Sequence, residues 1–154
     1  MGIKIAVLGA VVIGGMSLVH PFGNLRSPAR GAILNGAHID PATLGIIQRS
    51  CQNCHSERTE WPWYSRVAPG SWLLERDVSQ ARSRINLSHW TEYSPEQQVS
   101  ILSEIGVAAR TGVMPPSRYT LLHPDARLSS EERQAIYSWS RAERRLVQGG
   151  SGHP

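Results

Sequence analysis

Five consecutive residues, Cys51-Gln52-Asn53-Cys54-His55, constrain this chain of 154 residues more than any other feature. The two cysteines are the only ones in the sequence. At about 3.6 residues per helical turn, their spacing puts both thiols on one face, and the imidazole of His55 follows at once. This pattern is typical of c-type haem attachment, in which both thiols bind one porphyrin and the histidine is the proximal iron ligand.

Two other chemistries use a cysteine pair at this spacing. A zinc site needs further ligands, usually a second Cys or His pair at short spacing, and none follows in the sequence. A thioredoxin-like redox pair follows a strand, whereas the residues before Cys51 have helical spacing. The haem interpretation is favoured, and the redox-pair (or disulfide) and zinc interpretations stay open as weaker ones.

The N-terminus has the pattern of an export signal. A short charged start with Lys4, the only lysine, precedes an apolar run over residues 5–19. This run is shorter than the roughly 20 residues of a spanning helix, and no clear small-residue cleavage site follows it. We therefore predict a signal peptide or a retained membrane anchor over residues 1–20, with a slight preference for the anchor. Both interpretations put the rest of the chain on the extracytoplasmic, periplasmic side.

The remainder divides into three parts. Residues 21–39 have many helix breakers and no periodicity, which predicts a flexible tether in which His38, like His20 before it, is solvent-exposed. Residues 40–147 have helical periodicity and form the predicted domain. The Gly-rich residues 148–154 are predicted to be a flexible tail.

Four helical segments are predicted in the domain, and no strand pattern accompanies them. The first starts at Asp40-Pro41 and ends at the cysteine pair. The others cover about 71–85, about 95–111 between a Ser94–Gln97 capping box and Gly112, and about 130–146 after a Ser129–Glu132 capping box. The fold class is therefore all-α. The predicted buried stripes are Leu74, Val78, Ala81 and Ile85; Val99, Leu102, Ile105 and Ala109; and Ile136, Trp139, Ala142 or Glu143, and Leu146. Arg76, Arg82 and Arg84 are expected on the wetter faces of the second helix.

The net charge is +4, and nearly all of the positive charge is arginine. These arginines are scattered along the chain rather than clustered, which favours a solvated basic surface over a nucleic-acid interface. We predict no nucleic-acid partner. An acidic protein partner and an anionic membrane surface remain weaker possibilities.

Met114 is the predicted sixth ligand of the iron. Two prolines follow it and stiffen the loop, which lowers the entropy lost when the sulfur is fixed. A thioether opposite a histidine makes a stable electron carrier and raises the potential. His123, His89 or a vacant position are the alternatives, and a buried core methionine is the non-ligand interpretation.

The order of these motifs resembles the monohaem cytochrome c fold, and more closely the bacterial haem-binding domain family. The resemblance spans about residues 40–146. It is carried by Cys51-Gln-Asn-Cys-His55-Ser56, Trp61-Pro-Trp-Tyr-Ser65, Ala68-Pro69-Gly-Ser71-Trp72, Asp77-Val78, Asn86-Leu-Ser-His-Trp90, Met114-Pro-Pro116 and His123-Pro-Asp-Ala-Arg-Leu-Ser129. It implies one covalently held haem, export and often an N-terminal anchor.

The predicted molecule is thus a cytochrome c-like bundle of about four helices around one haem c, with an N-terminal apolar segment. Cys51, Cys54, His55 and Met114 bind the haem, and His55 and Met114 ligate its iron. We predict an extracytoplasmic electron carrier rather than an enzyme, with unidentified redox partner proteins. The alternatives are a five-coordinate haem protein that binds a gas or peroxide, as sensor or enzyme, and a haem subunit of a larger membrane redox complex.

Covalent attachment is directly testable. Cys51→Ala or Cys54→Ala should each leave at most one thioether, and the double variant should leave none, because no other cysteine can replace them. Haem staining of denaturing gels measures this. A double variant that still carries haem through the gel would contradict the attachment site.

Overall fold

The computed structural model describes residues 2–23, 25–26 and 31–150, and no strand occurs in this part of the chain. The prediction of an all-α fold is confirmed. The α-helices are α1 (Gly2–Ser17), α2 (Pro41–Ser50), α3 (Gln52–His55), α4 (Gly70–Arg84), α5 (Pro95–Thr111), α6 (Ser117–Leu122) and α7 (Ser130–Gly150). Short 3₁₀ segments lie at Trp63–Arg66, Leu87–Glu92 and Pro124–Ala126. The four predicted domain helices correspond to α2, α4, α5 and α7.

The predicted caps start these helices. The carboxylate of Asp40 accepts a hydrogen bond from the Thr43 N–H at 2.9 Å and begins α2. Ser94 and Gln97 form the expected reciprocal capping box at the start of α5. At the other end of α5, Gly112 adopts a left-handed φ of 72°, which glycine reaches without steric cost. The local sequence therefore sets where these helices begin and end.

The helices α5 and α7 form the central packed pair of the domain. Leu102 of α5 and Ile136 of α7 are completely buried in the core. Gly106 permits the close approach, because a Cβ there would collide with Ser140 of α7. The indole N–H of Trp139 donates to the His38 carbonyl at 3.0 Å and ties α7 to the segment before α2.

The predicted flexible tether is wrong for residues 31–39. Ile33 and Leu34 are core residues, and the Leu34 N–H donates to the Leu87 carbonyl at 2.9 Å. His20, Leu25 and Arg26 also touch the domain, and Arg26 donates to the Ser65 carbonyl at 2.6 Å. Burying these two large apolar side chains contributes to the free energy that orders this stretch. Asn24 and residues 27–30 of the predicted tether lie outside the described residues.

Both ends of the described chain are helical. Every residue of α1 is exposed or nearly so, and no helix among residues 2–150 that the structure describes is long and apolar enough to cross a membrane. The helix α7 continues through Gly150, beyond its predicted end near Leu146, and takes in part of the predicted tail. Met1 and residues 151–154 lie outside the described residues.

The predicted stripes are only partly correct. On α4 the buried residues are Ser71, Glu75 and Val78, while Leu74 and Ala81 are only half-buried. On α5, Leu102 and Ala109 are buried as predicted, Val99 and Ile105 are half-buried, and Ile101 and Gly106 also face the core. On α7, Ile136, Trp139 and Glu143 are buried, whereas Ala142 and Leu146 are exposed. Glu75 and Glu143 occupy core-facing positions beside His20 and His38, and periodicity alone does not reveal such pairs.

The α5–α7 core can be tested with a matched pair of truncations. Leu102→Ala should lower the free energy of unfolding by about 2–5 kcal/mol, because it leaves a cavity at a fully buried site. Val107→Ala, on the exposed side of the same helix, should cost less than about 0.5 kcal/mol. Urea unfolding followed by circular dichroism measures both. Equal effects of the two changes would contradict the packing described.

Candidate haem site

The two thiols and the imidazole leave the backbone within one helical turn. Cys51 closes α2 through its N–H, which donates to the Ile47 carbonyl at 2.8 Å. The Cys51 carbonyl then accepts from the N–H groups of Cys54, at 3.3 Å, and His55, at 3.0 Å. Both thiols are free and partly exposed. The arrangement presents two sulfurs and one imidazole on a single short segment, as attachment of one porphyrin requires.

The surroundings of the thiols argue against redox chemistry. Burial raises the pKa of the Cys51 thiol to about 12, and Cys54 adds to the rise. Burial also raises the pKa of Cys54 to about 11; Asp77 adds to this, while Arg118 and Arg82 oppose it. A redox-active pair needs a thiol whose pKa is lowered. Both thiols are neutral at neutral pH, which disfavours the redox-pair interpretation.

The imidazole of His55 has a defined orientation. Its Nδ1 lies 3.2 Å from the Ile85 carbonyl, and since a carbonyl only accepts, Nδ1 carries the hydrogen. Burial lowers the pKa of His55, so the ring is neutral at neutral pH. The unprotonated Nε2 is then available to a metal. A ring N–H held by a backbone carbonyl is the usual support of a metal-binding histidine.

Polar side chains fix the loop that follows His55. The completely buried Ser56 hydroxyl donates to the Gln52 carbonyl at 2.8 Å. Thr59 donates from its hydroxyl to the Asn53 carbonyl at 2.6 Å, and the Asn53 side-chain oxygen accepts the Glu60 N–H at 2.9 Å. These bonds fold the chain back onto the attachment turn.

Arg82 of α4 reinforces this loop. Its Nε donates to the Ser56 carbonyl at 2.8 Å, one Nη to the Thr59 hydroxyl at 2.9 Å, and the other to the Leu25 carbonyl at 3.1 Å. The expectation that Arg82 lies on a wetter face is therefore wrong. An arginine in the sequence does not show whether it is buried or exposed, because Arg84, two positions later, lies at the surface and pairs with Glu104.

An aromatic cluster adjoins the attachment turn. The amide of Asn53 donates to the Tyr119 hydroxyl at 3.1 Å, and the Tyr119 ring stacks on His123 with centroids 4.4 Å apart. The Nε2 of His123 lies 2.7 Å from the Tyr64 hydroxyl. His123 is thus packed between two tyrosines. The sequence singles out Tyr64 only as part of the Trp61–Ser65 motif and gives no direct signal for Tyr119, to which the position of Asn53 between the cysteines is a hint.

Met114, the predicted sixth ligand, lies in a partly exposed loop. Met114 precedes α6 and is 41% exposed; its N–H donates to the Ala108 carbonyl at 3.3 Å. Among the described residues, no hydrogen bond and no contact of the buried core joins Met114 to His55. Its assignment as a ligand stays a prediction.

His89, one of the alternative ligands, is already occupied. Its Nε2 lies 2.9 Å from Glu57 and its Nδ1 lies 2.8 Å from Glu92. The hydrogen bonds to Glu57 and then to Glu92 raise its pKa. A ring whose two nitrogens both lie in hydrogen bonds leaves none free for iron, so it is a poor ligand. His89 is the weaker of the histidine alternatives.

Arg82 and Arg84 offer a matched comparison. Arg82→Ala should lower the free energy of unfolding by about 1.5–3 kcal/mol. The change removes the charged donor of three hydrogen bonds, to Ser56, Thr59 and Leu25. Arg84→Ala removes one exposed ion pair and should cost about 0.2–1 kcal/mol. Chemical denaturation of the two holoproteins measures the difference. If Arg84→Ala proved the more costly change, the role of Arg82 would be wrong.

The comparisons with known proteins agree with this geometry. The family model described as haem-binding domain matches residues 11–142. Cytochrome c peroxidase Ccp of Escherichia coli (strain K12) is 28% identical over 148 residues. That match covers 93% of this chain but 30% of the peroxidase, so the chain spans less than a third of that relative. No solved structure is significantly similar. Since the family model matches well over half of its length, the chain belongs to the haem-binding domain family.

Proposed function

We propose that this protein is a monohaem c-type cytochrome that carries electrons on the extracytoplasmic side of the membrane. Cys51 and Cys54 hold the porphyrin through thioethers, His55 is the proximal ligand and Met114 the distal one. The observation that carries the proposal is the His55 imidazole. It shares one turn with both thiols, and the Ile85 carbonyl holds its Nδ1–H so that Nε2 is available.

The haem, when bound, supplies the one-electron chemistry of its iron. The chain supplies fixed ligands and limits water. The hydrogen bond from His55 to Ile85 keeps the ring in one orientation and increases its basicity as a ligand. Arg82 and Asn53 hold the attachment loop in place. A site held in this way rearranges little when the iron gains or loses an electron, which suits an electron carrier.

The peroxidase relative bears on the choice between carrier and enzyme. Because the match covers 30% of that protein, its activity does not transfer to this chain. In the proposed carrier, the chain is a haem module that exchanges electrons with another redox centre, in a partner protein or a membrane complex.

A second candidate is a five-coordinate haem protein that binds a gas or peroxide. The observation in its favour is the exposure of Met114, which leaves the distal side accessible, and the name of the relative points the same way. Under this alternative, Met114 does not bind the iron and the distal position takes the small molecule.

The proposed location rests on the N-terminal segment. The apolar residues of α1 are exposed along the whole helix. A helix that is apolar on all sides is stable in a membrane and not in water. We infer that α1 directs export and then stays attached as an anchor.

The sixth ligand is the decisive test. Met114→Ala should open the iron to water or added small ligands, give a high-spin spectrum and lower the potential, because the thioether favours the ferrous state. Met114→His should restore a low-spin iron at a lower potential, if the loop lets the imidazole reach it. Absorption spectroscopy and redox titration of the holoproteins measure these changes.

Two further variants serve as controls. Met16→Ala, in α1, should leave the spectrum unchanged. His123→Ala should also keep the low-spin spectrum, although it removes the contact with Tyr64. If Met114→Ala keeps the native spectrum while His123→Ala loses it, the distal assignment is wrong. A wild type that is already high-spin would favour the gas- or peroxide-binding alternative.

A further inference from the structure

The C-terminal end of α1 is fastened to the domain. The Ser17 hydroxyl, in the last turn of α1, accepts the Ala68 N–H at 3.0 Å. Two residues later, the Val19 carbonyl accepts the indole N–H of Trp72 at 2.8 Å. These two hydrogen bonds tie the end of α1 directly to the residues at the start of α4.

A third contact strengthens this joint. The Nδ1 of His20 lies 2.7 Å from the Glu75 carboxylate, whose side chain is 1% exposed. The other carboxylate oxygen of Glu75 has no hydrogen-bond partner in the described part of the chain. A buried carboxylate is costly without a partner, so the contact with His20 stabilises this arrangement. The joint therefore holds the direction of α1 relative to α4.

Large apolar side chains surround the joint and are exposed. Each of three lies one position from a residue that makes a joint contact: Leu18 between Ser17 and Val19, Val67 before Ala68, and Leu73 after Trp72. Leu73 is 50% exposed and the nearby Trp63, in the 3₁₀ segment joined to α4, is 79% exposed. We call Leu18, Trp63, Val67 and Leu73 the joint face. Exposed apolar residues next to an exposed apolar helix mark a surface that contacts a membrane or a protein partner.

The chemistry of the joint face fits a bilayer surface. Tryptophans are enriched at the level of the lipid headgroups, and arginines there attract anionic lipids; here Trp63 and the exposed Arg66 are close neighbours in the chain. The 16 residues of α1 measure about 24 Å, less than the roughly 30 Å of a hydrocarbon core. A bilayer adapts to a helix shorter than its core by thinning locally, which brings the residues that flank the helix close to the lipid headgroups.

We propose that the joint face rests on the membrane and contacts anionic lipid headgroups, with α1 inserted beside it. This rests on the membrane location proposed above and adds an orientation to it. The same elements border the haem site: Tyr64 follows Trp63 and binds His123, and Arg82 of α4 clamps the attachment loop. Tyr64 thus links the 3₁₀ segment of the joint face, through His123 and Tyr119, to Asn53 of the attachment turn, and this link favours electron exchange with a membrane-embedded partner.

Photo-crosslinking of the full-length holoprotein tests the orientation. Benzoylphenylalanine at Leu73 should form lipid adducts in vesicles of equal parts phosphatidylcholine and phosphatidylglycerol, detected by mass spectrometry. The same group at Leu146, equally exposed on α7, should form many-fold fewer, because α7 packs mainly on α5 and α2. Trp72→Phe removes the donor to Val19 and should reduce the adducts at Leu73 while the protein still sediments with the vesicles.

The outcomes separate this inference from the proposed function. Sedimentation with vesicles and the haem spectrum report on anchoring and on the cytochrome site independently of the crosslinks. Equal lipid adducts at Leu73 and Leu146, or none at either, would overturn the orientation even when the protein is anchored and its spectrum is intact. Crosslinks from Leu73 to another protein chain in place of lipid would show a protein interface and also overturn it. A chain that does not bind vesicles overturns both the anchor and the orientation.

Discussion

In the proposed cytochrome, two thiols and one imidazole have to reach the same porphyrin from a segment of five residues, and contacts from α4 and α6 support that segment. The Cys51 carbonyl accepts two backbone N–H groups and so makes the turn. The turn itself is only one helical turn long, and a helix this short is not stable alone. Its geometry therefore depends on the elements packed around it.

Two layers of contact supply that support. On one side, α4 and the residue after it provide Arg82, which clamps the following loop, and the Ile85 carbonyl, which orients His55. On the other side, Asn53 reaches Tyr119, which stacks on His123. The second layer leads through α6 toward the Met114 loop. His55 is thus held by polar contacts around the attachment turn, whereas the N–H of Met114 donates to the Ala108 carbonyl of α5.

The charged side chains of the domain fall into two groups, buried ones that hold segments together and exposed pairs. Buried or clamped groups, such as Arg82 and Glu75, hold particular segments in place, whereas exposed pairs such as Arg84–Glu104 contribute little. The joint between α1 and α4 belongs to the first group, since Glu75 is buried against His20. In the proposed carrier, this joint sets the relation between the membrane and the haem site.

The sequence alone determined the features that depend on local chemistry. Cys51, Cys54 and His55 identified the attachment segment, and the capping residues Asp40, Ser94 and Gly112 located the helix ends, because these depend on neighbours a few positions away. Only the tertiary structure decided the partners of Arg82, Asn53 and His123 and the burial of Ile33, Leu34 and Glu75. Those residues meet partners many positions distant in the chain, and an arginine at the surface has the same sequence pattern as one that clamps a loop.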